Sequence, residues 1–372
     1  MRFFVERGHE VHLLTVQPGP VPGVTVHDIT SHVGPKALRY ATSLVKVRTL
    51  LARLDPNVLH THFLTGFGYW GWLSGFRPFL LTLWGDDVYQ TPFESRTKLW
   101  LARHALAAAD WISGDSVDML EKAIELGARR EHCEHLQLGV DFRQFRPDVP
   151  AATTAAVRAE FATPPDAPVV LSTRSFSQPY YNIPLIVDAI PALLARRPDA
   201  VFWIAGYEGA DAGIRAQAER LGVTHAVRFL GRVPHEHLQD VVAAADVYVT
   251  VPSLDATAVS LLEAMAAGKA IVASALPSAM EWIVDGRTGR IVPPGERVPL
   301  EGAIGDLLDA ADERVRLGAA AHRAARAEAD WSRHMSRNEE IYVAVARARR
   351  TGEPFAIPQP RPPAPANAPA RR

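Results

Sequence analysis

The stretch that decides the fold is PSLDATAVSLLEAMAAGKAIVASALPSAMEWIVDGRTGRI, residues 252–291. It opens as a loop, runs into a helix over 258–267, and returns as a strand at 270–273. A second helix follows at 278–283 and a strand at 289–292. Short apolar runs between turns read as buried parallel strands, and their alternation with helices implies a sheet covered on both faces.

The same rhythm extends upstream. Strands are expected at 168–172, 201–204, 227–230 and 246–250, with helices at 184–196, 211–222 and 236–244. Downstream come a helix at 300–311 and a long helical stretch over 313–348. The first part of the chain repeats the pattern less cleanly. Its strands are expected at 11–15, 58–62, 79–84, 111–113 and 135–138, and its helices at 35–54, 66–75, 95–109 and 116–126. Between the two series, 147–168 is rich in Pro, Ala and Thr and reads as a linker with a short helix in it. The fold class is therefore α/β, with two Rossmann-like doubly wound domains and a ligand crevice between them. The domains are placed at 1–148 and 167–328, joined by a linker over 149–166. The tail, 351–372, carries seven prolines from Pro354 onward and reads as disordered, either a plain flexible end or a recognition segment for a partner.

The front end is unusual. A doubly wound domain starts with a central strand and a glycine-rich turn. This chain opens MRFFVERGHE, which reads as the helix after them. The first strand is expected to be missing, through a start set too late or a compromised domain.

Composition narrows the function. The 372 residues are 48% hydrophobic and carry a net charge of −1, which argues against a general nucleic-acid binder. Only five basic residues are lysines against 35 arginines, a bias that reads as genomic composition. The single cysteine, Cys133, permits no intrachain disulfide and no thiolate-rich metal site. No secretory leader is expected, and no run reaches the roughly 20 apolar residues that span a bilayer. A cytoplasmic protein is expected, with peripheral attachment to the inner membrane face left open.

Several residues could carry chemistry. Asp255 lies in the loop at the carboxyl end of a strand, and Thr257 or a neighbour would cap the next helix. The N–H groups at that helix start suit a phosphate. Glu263, among Leu261, Leu262, Ala264, Met265 and Ala266, reads as a buried carboxylate that needs a partner. Ribose hydroxyls or an internal arginine would serve. Arg174 follows the strand VVLST. It could clamp a diphosphate and stabilise a leaving nucleotide, or form an interdomain salt bridge. His60 and His62, at i and i+2 on a strand, could ligate a metal, face an acceptor or simply pack. Tyr69, Trp70 and Trp72 could form an acceptor-stacking wall or simply core, and core is the expectation.

The 252–291 stretch resembles the acidic-x7-Glu motif of the retaining glycosyltransferases of family 4, which have the GT-B fold. Asp255 and Glu263 stand at its two acidic positions, followed by EAMAAGKAIV. GVDFRQFRPD (139–148), GRVPHEHLQDVVAAADVYVTVPS (231–253) and DGRTGRIV (285–292) fall in the family's order. The resemblance implies that Glu263 holds the donor ribose and that Asp255 stands near the donor sugar. The backbone of Ala256, Thr257, Ala258 and Val259 would face the diphosphate. It implies that Arg174 clamps the diphosphate. The family's second clamp residue, a lysine five or six positions on, is absent from RSFSQPYYNIP, where Ser177, Gln178, Tyr180, Tyr181 and Asn182 stand instead. Arg232 is a candidate replacement; Lys269 is not. TLWGDDVY resembles the family's His-Gly-x-Asp segment, with Trp84 in the histidine place and Asp87 matching the aspartate. Asp87, Arg174 and Asp255 are thus the catalytic candidates. The resemblance further implies a helix over 329–350 that crosses back to the first domain.

The implied activity is transfer of a sugar from a nucleotide diphosphate sugar to a hydroxyl of a saccharide or lipid-linked acceptor. Retention at the anomeric carbon and no metal or other cofactor are expected. A role in surface polysaccharide or glycolipid synthesis follows from the family. The alternatives are a nucleotide-sugar epimerase of the same fold and a non-catalytic nucleotide-sugar-binding scaffold.

Overall fold

The computed structural model describes residues 1–176, 178–206 and 211–352. Of the tail expected to be disordered over 351–372, residues 353–372 lie outside these residues, as does Ser177, while Thr351 closes the last helix. The described chain divides into two compact units, one built from Met1–Leu136 and 333–352, the other from Gln137–Ser332.

The first unit carries β1 (His12–Thr15), β2 (Thr25–Asp28), β3 (Leu59–His62), β4 (Phe79–Thr82), β5 (Trp111–Gly114) and β6 (Cys133–His135). All pairings are parallel. Two sheets result, β1-β2 and β3-β4-β5-β6. Among the described residues β1 pairs only with β2, and β3 only with β4. The β2 strand was not expected, because TVHD has neither an apolar run nor a buried side chain to announce it. The last strand lies at Cys133–His135 rather than 135–138. Its Glu134 is 4% exposed and lies where only a partner could hold it. Arg337, from the helix Trp331–Thr351, supplies Nε at 2.7 Å, and the Trp111 indole donates at 3.1 Å. This pairing fastens the last helix to the first unit.

The second unit is one six-stranded parallel sheet. Its strands are β7 (Val169–Ser172), β8 (Val201–Ala205), β9 (Val227–Gly231), β10 (Val247–Thr250), β11 (Ala270–Ser274) and β12 (Arg290–Val292), in the order β12-β11-β10-β7-β8-β9. The central strands are buried along their whole length. Alternate residues feed opposite cores: Leu171, Trp203 and Tyr248 on one face, Val170, Phe202 and Val249 on the other. The order reverses between β7 and β10. An open α/β sheet binds its ligand outside the carboxyl ends of the strands at such a switch point.

Two expected boundaries are corrected. The first unit ends at Leu136, not at 148, because Val140 and Phe145 are buried in the second unit's core. Nor is 149–166 a free linker. Its helix Ala151–Glu160 buries Val157 in that core, and Arg158 ties to Asp246 at 2.9 Å. The helical stretch expected over 313–348 comprises Ala311–Glu328 and Trp331–Thr351, the second being the helix expected over 329–350. Val140 sits at the break between them, accepting from Trp331 N–H and donating to Ala329 C=O. Among the described residues no helix is long and apolar enough to cross a membrane.

Removing Arg337 would leave Glu134 charged and buried. Arg337→Ala is expected to destabilise the first unit by about 3–5 kcal/mol, with the double variant Glu134→Gln, Arg337→Met recovering most of the loss. Thermal melts read by tryptophan fluorescence check this; an unchanged melt in the single variant would refute it.

Candidate active site

Arg174 stands two residues beyond β7, at the switch point. It is 8% exposed. An enclosed guanidinium must be neutralised and hydrogen-bonded, and three groups do this. Nη2 donates to Asp255 Oδ2 at 2.6 Å, and Nη1 donates to Ser260 Oγ at 3.2 Å. The Tyr181 ring lies 4.0 Å from the guanidinium carbon. The Nε–H is buried with no protein partner. The Nε–H is therefore a buried donor that a ligand could satisfy. Burial raises the Asp255 carboxyl to about 6, against the pull of Arg174 and of the Ala256 N–H.

The loop that carries Tyr181 is tied down from both sides. Ser253 N–H donates to Tyr180 C=O at 2.8 Å, and the Asn182 amide donates to Val251 C=O at 3.0 Å. Where the family pattern expects a lysine, this chain lays a tyrosine ring on the arginine. Tyr181 and Ser260 are site residues that sequence reasoning missed. Their spacing carried no signal, because each is ordinary in its own element and they meet only across the loops after β7 and β10.

Glu263 sits on the helix Val259–Ala266, one turn beyond Ser260 and on the same face. It is 6% exposed. The internal arginine weighed as its partner is not there. Among the described residues the basic side chain beside it is the His235 imidazole, with Nδ1 at 3.9 Å, too far for a hydrogen bond. Burial alone raises its carboxyl to about 7.

The helix cap falls on the neighbour of Thr257, one of the two expected alternatives. The cap residue is Ala258, with no side-chain hydrogen bond, and Thr257 instead accepts from the Trp282 indole at 3.4 Å. A buried tryptophan claims the hydroxyl. Ala256 is buried, and Val259 is the first helical residue. Arg232 is exposed beyond β9, two strands from β7, roughly 10 Å at ordinary strand spacing. Lys269 is at the opposite end of the sheet, donating to the carbonyls of Ala243 and Ala245.

In the first unit, Asp87 is fully buried. Its Oδ2 accepts from Leu64 N–H at 2.7 Å, and its Oδ1 from Trp84 and Gly85 N–H at 3.0 and 2.8 Å. Burial still raises it to about 6, those bonds opposing. Both oxygens of this catalytic candidate are thus engaged by backbone N–H groups. His60 is spoken for as well, Nδ1 by the Tyr342 hydroxyl and Nε2 by Thr82 Oγ1. It cannot pair with His62 on a metal. Among the described residues no group of three or more His, Cys, Asp or Glu could hold a metal ion. Tyr69 and Trp70 are core, as expected, while Trp72 packs on Trp100 and His104.

Comparison with known proteins agrees with this geometry. Residues 1–116 match the family described as glycosyl transferase 4-like, and residues 154–324 match glycosyl transferases group 1. The chain is 32% identical to a D-inositol 3-phosphate glycosyltransferase of Streptomyces scabiei, over 57% of this chain and 48% of that one. It is 31% identical to a phosphatidyl-myo-inositol mannosyltransferase of Mycolicibacterium smegmatis, over 59% and 56%. The chain thus spans about half the length of the curated relatives it matches. Among solved structures, sucrose-phosphate synthase from Thermosynechococcus elongatus superposes with a TM-score of 0.80 at 20% identity, covering 93% of this chain and 91% of that one. Anabaena HepE in complex with UDP-glucose gives 0.74 at 19%, covering 86% and 85%. These likenesses carry the fold, two Rossmann-like units of the GT-B type. One family model thus lies on each unit: residues 1–116 belong with the glycosyl transferase 4-like sequences and residues 154–324 with the glycosyl transferases group 1.

Proposed function

We propose that this chain transfers a glycosyl group from a nucleoside diphosphate sugar to a hydroxyl of a ring polyol or glycolipid, with retention and without a resident metal. The observation that carries the reading is Arg174, a buried guanidinium with an unpartnered Nε–H at the carboxyl end of the central strand. A diphosphate oxygen there would complete its hydrogen bonding and spread its own charge as the sugar departs. Asp255 and Ser260 hold the guanidinium in place, and Tyr181 stacks on its face. Glu263 would accept from the ribose hydroxyls, which gives its buried carboxylate the partner it lacks. The inositol-directed names of the relatives support a cyclitol or lipid-linked cyclitol as acceptor. Such an acceptor would place the protein peripherally at the inner membrane face. No side chain at the site is assigned as base, so the acceptor proton would leave with the departing phosphate.

Two outcomes test this. Arg174→Ala should lower turnover by about 10²–10³-fold, the size of one lost transition-state donor, while the donor dissociation constant changes far less. Turnover equal to wild type would remove Arg174 from the chemistry. The second concerns pH. Hydroxyls donate to the ionised form of Glu263, whose carboxyl sits at about 7. Affinity for UDP-glucose or GDP-mannose should therefore be full above that value and fall by up to about tenfold per pH unit below it. Calorimetric titrations across this range should show the fall in wild type and a weak, pH-independent affinity in Glu263→Gln. A flat wild-type profile would exclude the ribose role.

A further inference from the structure

We propose that Phe63 and Trp84 form an aromatic platform that receives the acceptor's ring, and that Asp87 is the positioning residue that sets it. The platform lies at the carboxyl ends of β3 and β4, where open α/β sheets take their ligands. Phe63 follows the last residue of β3, and Trp84 stands two residues beyond β4. Their rings are 5.2 Å apart and within 14° of parallel. His62 leans on the other ring at 5.8 Å. Phe63 is 38% exposed, so a large apolar face meets solvent. The Trp84 indole N–H is buried with no protein partner.

The backbone has been bent to make this stack. Phe63 has a φ of +71°, a conformation that a bulky residue seldom takes. Strain of this kind persists only where the surroundings over-determine it. Here they do. Phe63 N–H donates to Thr82 C=O at 3.0 Å, and its own C=O accepts from Gly68 N–H at 2.9 Å. A Cβ at residue 68 would lie 2.9 Å from that carbonyl, so only glycine closes the turn. Asp87 joins the two loops. One oxygen holds the N–H of Leu64, next to Phe63, and the other holds the N–H groups of Trp84 and Gly85. One buried carboxylate thus fixes both residues of the stack without touching either ring.

The occupant that matches is a saturated polyol ring. Its axial C–H face stacks on an aromatic surface, and its hydroxyls can accept from a stranded indole N–H. An open-chain polyol has no flat face to offer. The inference rests on the transferase reading for the ring's role as acceptor, but its binding can be read without turnover.

The experiment is saturation-transfer NMR on the full chain with UDP present, using myo-inositol and methyl α-D-mannopyranoside as probes and sorbitol as the open-chain control. Ring C–H signals should saturate in wild type and sorbitol should not. Trp84→Ala and Phe63→Ala should each lose about tenfold in ring affinity, the size of one aromatic stack, with the donor affinity unchanged. Trp84→Phe keeps the face and loses the N–H, so it should recover part of the loss. Asp87→Asn keeps one acceptor oxygen; it should weaken the ring probes while leaving UDP-glucose and GDP-mannose affinity and the melt of the second unit in place. Absent ring saturation in wild type, or full saturation in Trp84→Ala, would overturn the platform. If the rings bind and neither nucleotide sugar does, the donor reading fails and the platform stands. If a donor binds and no ring does, the reverse holds.

Discussion

A guanidinium shut away from water must be neutralised, and most of the second unit's site follows from that demand. Arg174 is placed by the topology: it lies just beyond the central strand, where the strand order reverses. Asp255 arrives from the neighbouring strand's loop and Ser260 from the helix that follows, each because Arg174 needs an acceptor there. Tyr181 covers the open face. With these fixed, the same helix carries Glu263 one turn further on, buried without a cation to match it. The second unit's site thus holds an arginine with one buried donor unpartnered and a buried carboxylate with no hydrogen bond among the described residues. A nucleotide that brings a diphosphate and a ribose supplies what each lacks.

The first unit solves a related problem with the opposite charge. Asp87 is buried with no cation at all, and backbone N–H groups stand in for one. Three such donors from two loops make it a clasp. A carboxylate used this way orders the chain around it, whereas one open to solvent would be free to act on substrate.

Much of the fold could be read from the chain because parallel strands announce themselves. VVLS, VFWIA and AIVAS are short, apolar and bounded by turns, and each is a buried strand. TVHD was missed for the same reason in reverse, being an exposed pair-strand with no apolar run. The domain boundary was misplaced because Pro and Ala in 149–166 look like linker, while the side chains that decide the matter, Val140, Phe145 and Val157, are buried by residues far away in sequence. In the site, the acidic spacing located Asp255 and Glu263. It could not show that Arg174 and Asp255 bond to each other or that Thr257 serves Trp282. Those facts depend on which loops face each other, and spacing within one segment does not encode that.

The raised carboxyls have a consequence for calorimetry. Asp255 and Glu263 sit at about 6 and about 7, so near neutrality the empty site holds a fractional number of protons. A ligand that prefers the ionised carboxylates must expel that fraction into the solvent. The heat measured on binding then contains the ionisation heat of whatever buffer takes up the proton. Titrations in Pipes and in Tris, which differ in ionisation heat and bring no phosphate to compete for the site, would disagree in enthalpy while agreeing in affinity, and the slope between them would count the protons the site gives up.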